Sequence, residues 1–218
     1  MSITKVSEND AGGVSASPSV ALSVTAGNLL VFLAVSRNGT GAHNSLADDQ
    51  TQTWTQVGTP VNSVGYASLW YCSNTYTGTL TVTMTLSASD TWYVNLSQWS
   101  GQAASPYVST DTATNTATTT HVHGSTGISA TIGQLLIGVA IQASTVSDEV
   151  YSGGTPFTAL QFTNSTNLRQ WWGYRIATGS ESSVTGSWTQ TSGTSAARMA
   201  LFDAAPAAPT VTWVGYIG

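Results

Sequence analysis

Charge is what this chain has least of. Only 7% of its 218 residues are Asp, Glu, Lys or Arg, against roughly 25% in an ordinary soluble domain. The five basic residues, Lys5, Arg37, Arg169, Arg175 and Arg198, form no stripe. Gripping a phosphate backbone needs clustered cations, so nucleic acid is not an expected partner. An anionic membrane surface is not expected either, and apolar runs such as residues 29–35 are too short to span a bilayer. Cys72 is the single cysteine, which rules out an intrachain disulfide. Within Leu69-Trp70-Tyr71-Cys72 it reads as a small buried hydrophobe. Residues 1–10 lack the apolar stretch of a secretory signal. The expectation is a protein kept in a cytoplasm, released by lysis or built into a particle, with a mature secreted form whose signal has been removed as the alternative.

Scarce charge also means scarce chemistry. Glycoside hydrolysis needs two placed carboxylates, and no pair stands out among the ten acidic residues. Gly-x-Ser-x-Gly does not occur, and Gly153-Gly154 is followed by neither a lysine nor a helix signal. His121 and His123, two apart on a strand, project to one face and could share a metal, but a third ligand is needed. Asp111 and His43 are the candidates for that place. Asp48 and Asp49 sit in an oxygen-rich loop without calcium-site spacing, so loop solvation is the expected role. The expectation is a non-enzyme with no cofactor, no metal and no catalytic residue.

What replaces charge is Ser, Thr, Gly and aromatics in short alternating runs. With 41% hydrophobic residues and a net charge of −5, the chain can bury a core, and disorder is not expected. Thr79-Leu-Thr-Val-Thr-Met-Thr-Leu86 alternates strictly, the pattern of a half-buried strand. Residues 29–35 are apolar on both faces, as in a central strand covered on both sides. Strands are also expected at 20–24, 53–57, 67–73 and 92–99, and residues 37–52 read as a long loop. No helix longer than a turn at 148–151 is expected.

The second half echoes the first. Residues 131–141 echo 25–35, 171–176 echo 68–73, and 196–202 echo the strand before Gly101. Two tandem sandwiches or two halves of one sandwich would both produce this. Each half has few strands and residues 108–125 begin like an edge strand, so one jelly-roll-like antiparallel β-sandwich is expected over 1–204. Its halves are about 1–104 and 105–204, and 205–218 form a Pro/Ala spacer with a C-terminal strand at 211–217. An apolar terminal strand must pair in its own sheet or in a neighbouring subunit.

The aromatics are the remaining signal. Adjacent residues on a strand face opposite ways, so Trp171 and Trp172 are expected to leave one ring exposed or at an interface. Trp171, Trp172, Trp54, Trp213 and Tyr216 are the candidate interface or glycan contacts.

Residues 26–35, 49–56, 67–72, 78–86 and 96–101 together resemble a β-sandwich accessory domain of tailed-phage virion proteins and some bacterial surface proteins, over about residues 19–203. The resemblance implies a bacteriophage structural protein located in the virion, first of all a capsid decoration or cement protein, or else a tail or fibre element. Capsid or tail proteins and copies of itself are the implied partners. It carries over no functional residue. Where the family pattern ends a strand with an acidic residue before the glycine, this chain reads Ser97-Gln-Trp-Ser100. The alternative is a glycan-binding module of a phage fibre or bacterial cell surface, with host surface glycan as partner.

Overall fold

A computed structural model describes residues 1–37, 41–143, 157–160 and 169–206. The sequence expectations for residues 148–151, the C-terminal strand, Trp213 and Tyr216 lie outside the described residues. The described chain is all β. The first half contains β1 (Thr4–Ser15), β2 (Ser19–Val24), β3 (Leu29–Arg37), β4 (His43–Asp48), β5 (Thr55–Gln56), β6 (Val61–Asn62), β7 (Gly65–Ser73), β8 (Gly78–Leu86) and β9 (Asp90–Ser100). The second contains β10 (Gln102–Val122), β11 (Ile128–Ala130), β12 (Leu135–Ala143), β13 (Thr158–Ala159), β14 (Arg169–Ile176), β15 (Glu181–Val184) and β16 (Ser187–Ala204).

These strands form four antiparallel sheets. The two larger ones run β1-β9-β3-β7-β5, with β6 beside β7, and β10-β16-β12-β14-β13. The two smaller ones are β2-β8-β4 and β11-β15. In both larger sheets the order is first strand of the half, last, third, third from last. The alternation of β8 does what its pattern requires: Leu80, Val82, Met84 and Leu86 are buried against Leu30, Phe32 and Leu96 of the larger sheet. The opposite face of β3, with Leu29, Val31, Leu33 and Val35, packs on Leu135, Ile137, Val139 and Ile141 of β12. Beyond that sheet, Leu136, Met199 and Leu201 meet Ile128, Phe157 and Trp188. The stack is therefore small sheet, large sheet, large sheet, small sheet, with β3 and β12 covered on both faces.

The all-β antiparallel sandwich expected from the sequence is the fold that forms. Every ladder among the described residues stays within one half. Each half closes on itself, β1 with β9 and β10 with β16. Gly101, at φ +83, then turns β9 directly into β10 and carries the chain from one large sheet to the other. Residues 37–52, expected as a loop, need correction: β4 pairs with β8 there from His43 to Asp48.

The halves join through apolar faces and aromatic pairs. Tyr71 of β7 meets Phe202 of β16 edge-on at 5.4 Å, and Tyr174 of β14 meets Trp99 of β9 edge-on at 4.9 Å. Ile3, 1% exposed, is tucked between the halves, and its amide donates to the Gly133 carbonyl at 2.9 Å.

Candidate functional site

The groups with acid–base or ligand chemistry are mostly spent on structure. His43, at the start of β4, lies buried at the end of the first small-sheet core. Its Nδ1 is 2.6 Å from Ser68 Oγ and its Nε2 3.1 Å from Ser36 Oγ. Ser36 Oγ donates to the Gly41 carbonyl at 2.7 Å. That donor leaves Ser36 to accept from Nε2–H, and so Nδ1 accepts from the Ser68 hydroxyl. Burial pushes the ring down to about 3, so it is neutral and fully engaged.

His121 and His123 do face the same way, and each ring is held by other contacts. His121 donates from Nε2 to the Thr118 carbonyl at 2.9 Å and pairs Nδ1 with Ser195 Oγ at 2.6 Å. His123 sits among Trp171, Trp188 and Phe157, its ring centroid 3.7 Å from that of Trp171. Burial pushes it to about 3, against a smaller opposing pull from the Gly186 backbone. Asp111, nominated as a third ligand, instead accepts the Thr112, Thr126 and Gly127 amides. Burial raises its pKa, but those amides and the Thr126 hydroxyl outweigh that and hold it below the usual range. Among the described residues no group of three or more His, Cys, Asp or Glu could hold a metal.

Asp48 and Asp49 fasten a turn. Asp48 accepts the Gln50 and Gln52 amides and the Trp54 indole N–H, and Asp49 accepts the Thr81 amide. Trp54 is half-buried, held by Asp48 at 2.6 Å and set edge-on to Phe32. The expectation of an exposed ring at the tryptophan doublet is corrected. Trp171 and Trp172 do point to opposite faces, but each face is covered, and they are 2% and 1% exposed. Trp172 packs between the large sheets and Trp171 under the second small sheet.

Among the described residues an open groove of about 350 Å³ lies where the halves meet. Thr53, Thr55, Tyr71, Cys72 and Ser73 come from the first half, and Ala104, Ser105, Pro106 and Tyr107 from the second. Its volume falls at the lower end of the ~300–1,000 Å³ of small-molecule sites. Tyr107 is 37% exposed and stacks on Tyr71 at 5.7 Å and 13°. Cys72 lies in its buried wall, and burial, with Asp48 adding to it, pushes the thiol up to about 12. Among the described residues no charged side chain lines the groove. Sequence reasoning passed over Tyr71, Tyr107 and these hydroxyls because they lie far apart along the chain and meet only through packing of the halves. The phage resemblance rests on the quoted segments alone: the chain matches no protein-family model, no curated protein and no solved structure.

Proposed function

We propose that this chain is a non-enzymatic structural protein of a bacteriophage virion, a capsid decoration protein first of all, which assembles through its sheet edges. The observation that supports this reading is where the exposed apolar side chains lie. β1 and β10 are the long edge strands of the two large sheets, and among the described residues each carries a ladder on one side only. Val6 and Val14 on β1 are 50% and 71% exposed, and Val108 on β10 is 43% exposed. An edge strand with free backbone groups and apolar side chains is a template for pairing unless something covers it. β10 suits such contact, because Asp111 is its one Asp, Glu, Lys or Arg and little charge has to be stripped of water on assembly.

Light scattering tests the assembly. A closed oligomer of fixed stoichiometry at micromolar protein is expected, dispersed by Val14→Lys together with Val108→Lys. A monomer at every concentration, both for the full chain and for one ending at Ala204, overturns assembly through these edges. The virion assignment has its own test: antibody against the chain is expected to label phage particles purified from producing cells. Label confined to the soluble fraction overturns it.

A further inference from the structure

We infer that the groove between the halves is a binding site for a neutral saccharide, with Tyr107 as its stacking platform. Thr53, Thr55, Tyr71, Ser73, Ser105 and Tyr107, all hydroxyl-bearing, line one concavity. Within the described residues none of those hydroxyls has a hydrogen-bond partner, whereas Ser36, Ser68 and Ser195 in the interior are all engaged. Hydroxyls that donate and accept, gathered without partners of their own, match the hydroxyls of a sugar, each of which also does both.

Two further features narrow the ligand. A pyranose ring carries an apolar face of C–H groups, which packs on an aromatic ring whose face is negative. Tyr107 offers such a ring, and its stack on Tyr71 fixes the orientation in advance, so little side-chain freedom is lost on binding. The described lining residues carry no charge, and this sets specificity. A uronic or sialic acid would have to shed water from its carboxylate with no cation to receive it. Residues 53–73 alone do not make this site; it exists because Gly101 turns the chain and brings residues 104–107 against them. This inference does not depend on the virion reading.

The test uses the full chain and saturation-transfer NMR with cellobiose, lactose and N,N′-diacetylchitobiose, and glucuronic acid as the charged comparison. Amorphous cellulose and chitin, assayed by co-sedimentation, separate a soluble sugar from a surface polymer as the source. Transfer to at least one neutral probe and none to glucuronic acid is expected. Tyr107→Ala should weaken that binding at least tenfold. Ser105→Arg, at an exposed position, should do the same by filling the groove without touching the core. Circular dichroism and the melting temperature of each variant establish that it is folded. No neutral probe bound at 10 mM, as an order-of-magnitude ceiling for a weak site, overturns the inference. So does binding that survives Ser105→Arg in a folded protein.

Discussion

Protonation of a buried imidazole is costly for this protein at the residue scale. His43 and His123 take up a proton near pH 6.5 when unfolded but only at about 3 in the fold. Their neutral burial is therefore fully compatible with folding above pH 6.5, and stability is lost progressively as pH falls from there toward 3. Asp111, held below its usual range, adds to the loss in acid, while Asp90, raised mainly by its own burial, opposes it. Urea unfolding at pH 4.5 is expected to give a stability about 2–4 kcal/mol below that at pH 7.5. His43→Gln with His123→Phe should remove at least half of that difference; an unchanged difference would mean the rings are not the groups that titrate. Arg198 offers a second residue-scale test. It is 5% exposed and reaches across to the Thr59 carbonyl and Thr110 Oγ1, with no carboxylate partner among the described residues and its Nε unpaired. Burial pulls its pKa down, which measures how poorly its charge is compensated. Arg198→Met keeps the volume and removes the charge, and should leave urea stability equal or higher by about 1–2 kcal/mol. Arg198→Ala opens a cavity instead and should lower it by about 2 kcal/mol or more.

Elements show most clearly what could be read beforehand. Gly27 and Gly133 precede β3 and β12 in the same kind of turn, at φ +85 and +87. A Cβ on Gly27 would meet nothing within 4 Å, while one on Gly133 would stand 2.5 Å from the Met1 carbonyl oxygen. Gly27→Ala should therefore cost only the backbone strain, about 1 kcal/mol. Gly133→Ala must also displace the N-terminal segment and should cost at least about 1 kcal/mol more, read from urea midpoints of the two variants. Both turns and the strands after them were legible, since a glycine before an apolar run is a local signal. So was β8, whose period-2 pattern matches its burial residue by residue. β1 was not legible. Its Glu8, Asn9, Asp10, Gly12 and Gly13 argue against a strand, yet it pairs with β9 along its length. The reason lies in the partner: the Tyr93 and Trp92 rings lie over Gly12 and Gly13, where a Cβ would come within 2.2 and 3.1 Å of them. Local propensity carries no trace of a neighbour's side chain. The same holds for the candidate site, because whether Trp171 is exposed depends on a small sheet whose strands are only a few residues long.

For the whole molecule, the decisive feature is that the central core belongs to neither half. Leu29, Val31, Leu33 and Val35 are buried only because Leu135, Ile137, Val139 and Ile141 cover them. The equivalent strand order of the large sheets means that each half presents the same kind of apolar face to the other. Ile3 and the Gly101 turn fasten the two together. Burying eight such aliphatic side chains is worth about 1.5–3 kcal/mol apiece, more in sum than the net stability of a typical domain. A chain cut at Gly101 would expose the whole face of β3 and lose that contribution at once. The intact protein should therefore unfold in one cooperative step, with calorimetric and van't Hoff enthalpies that agree. Residues 1–101 expressed alone should be insoluble, or soluble without the near-ultraviolet dichroism of packed tryptophans. Two separable transitions in the intact chain, or a monomeric and natively packed first half, would show that the small-sheet core around Phe32 and Met84 suffices by itself. In that event the groove at Tyr107 would open and close with the motion of two independent bodies, and Tyr107→Ala would alter ligand affinity without altering either transition.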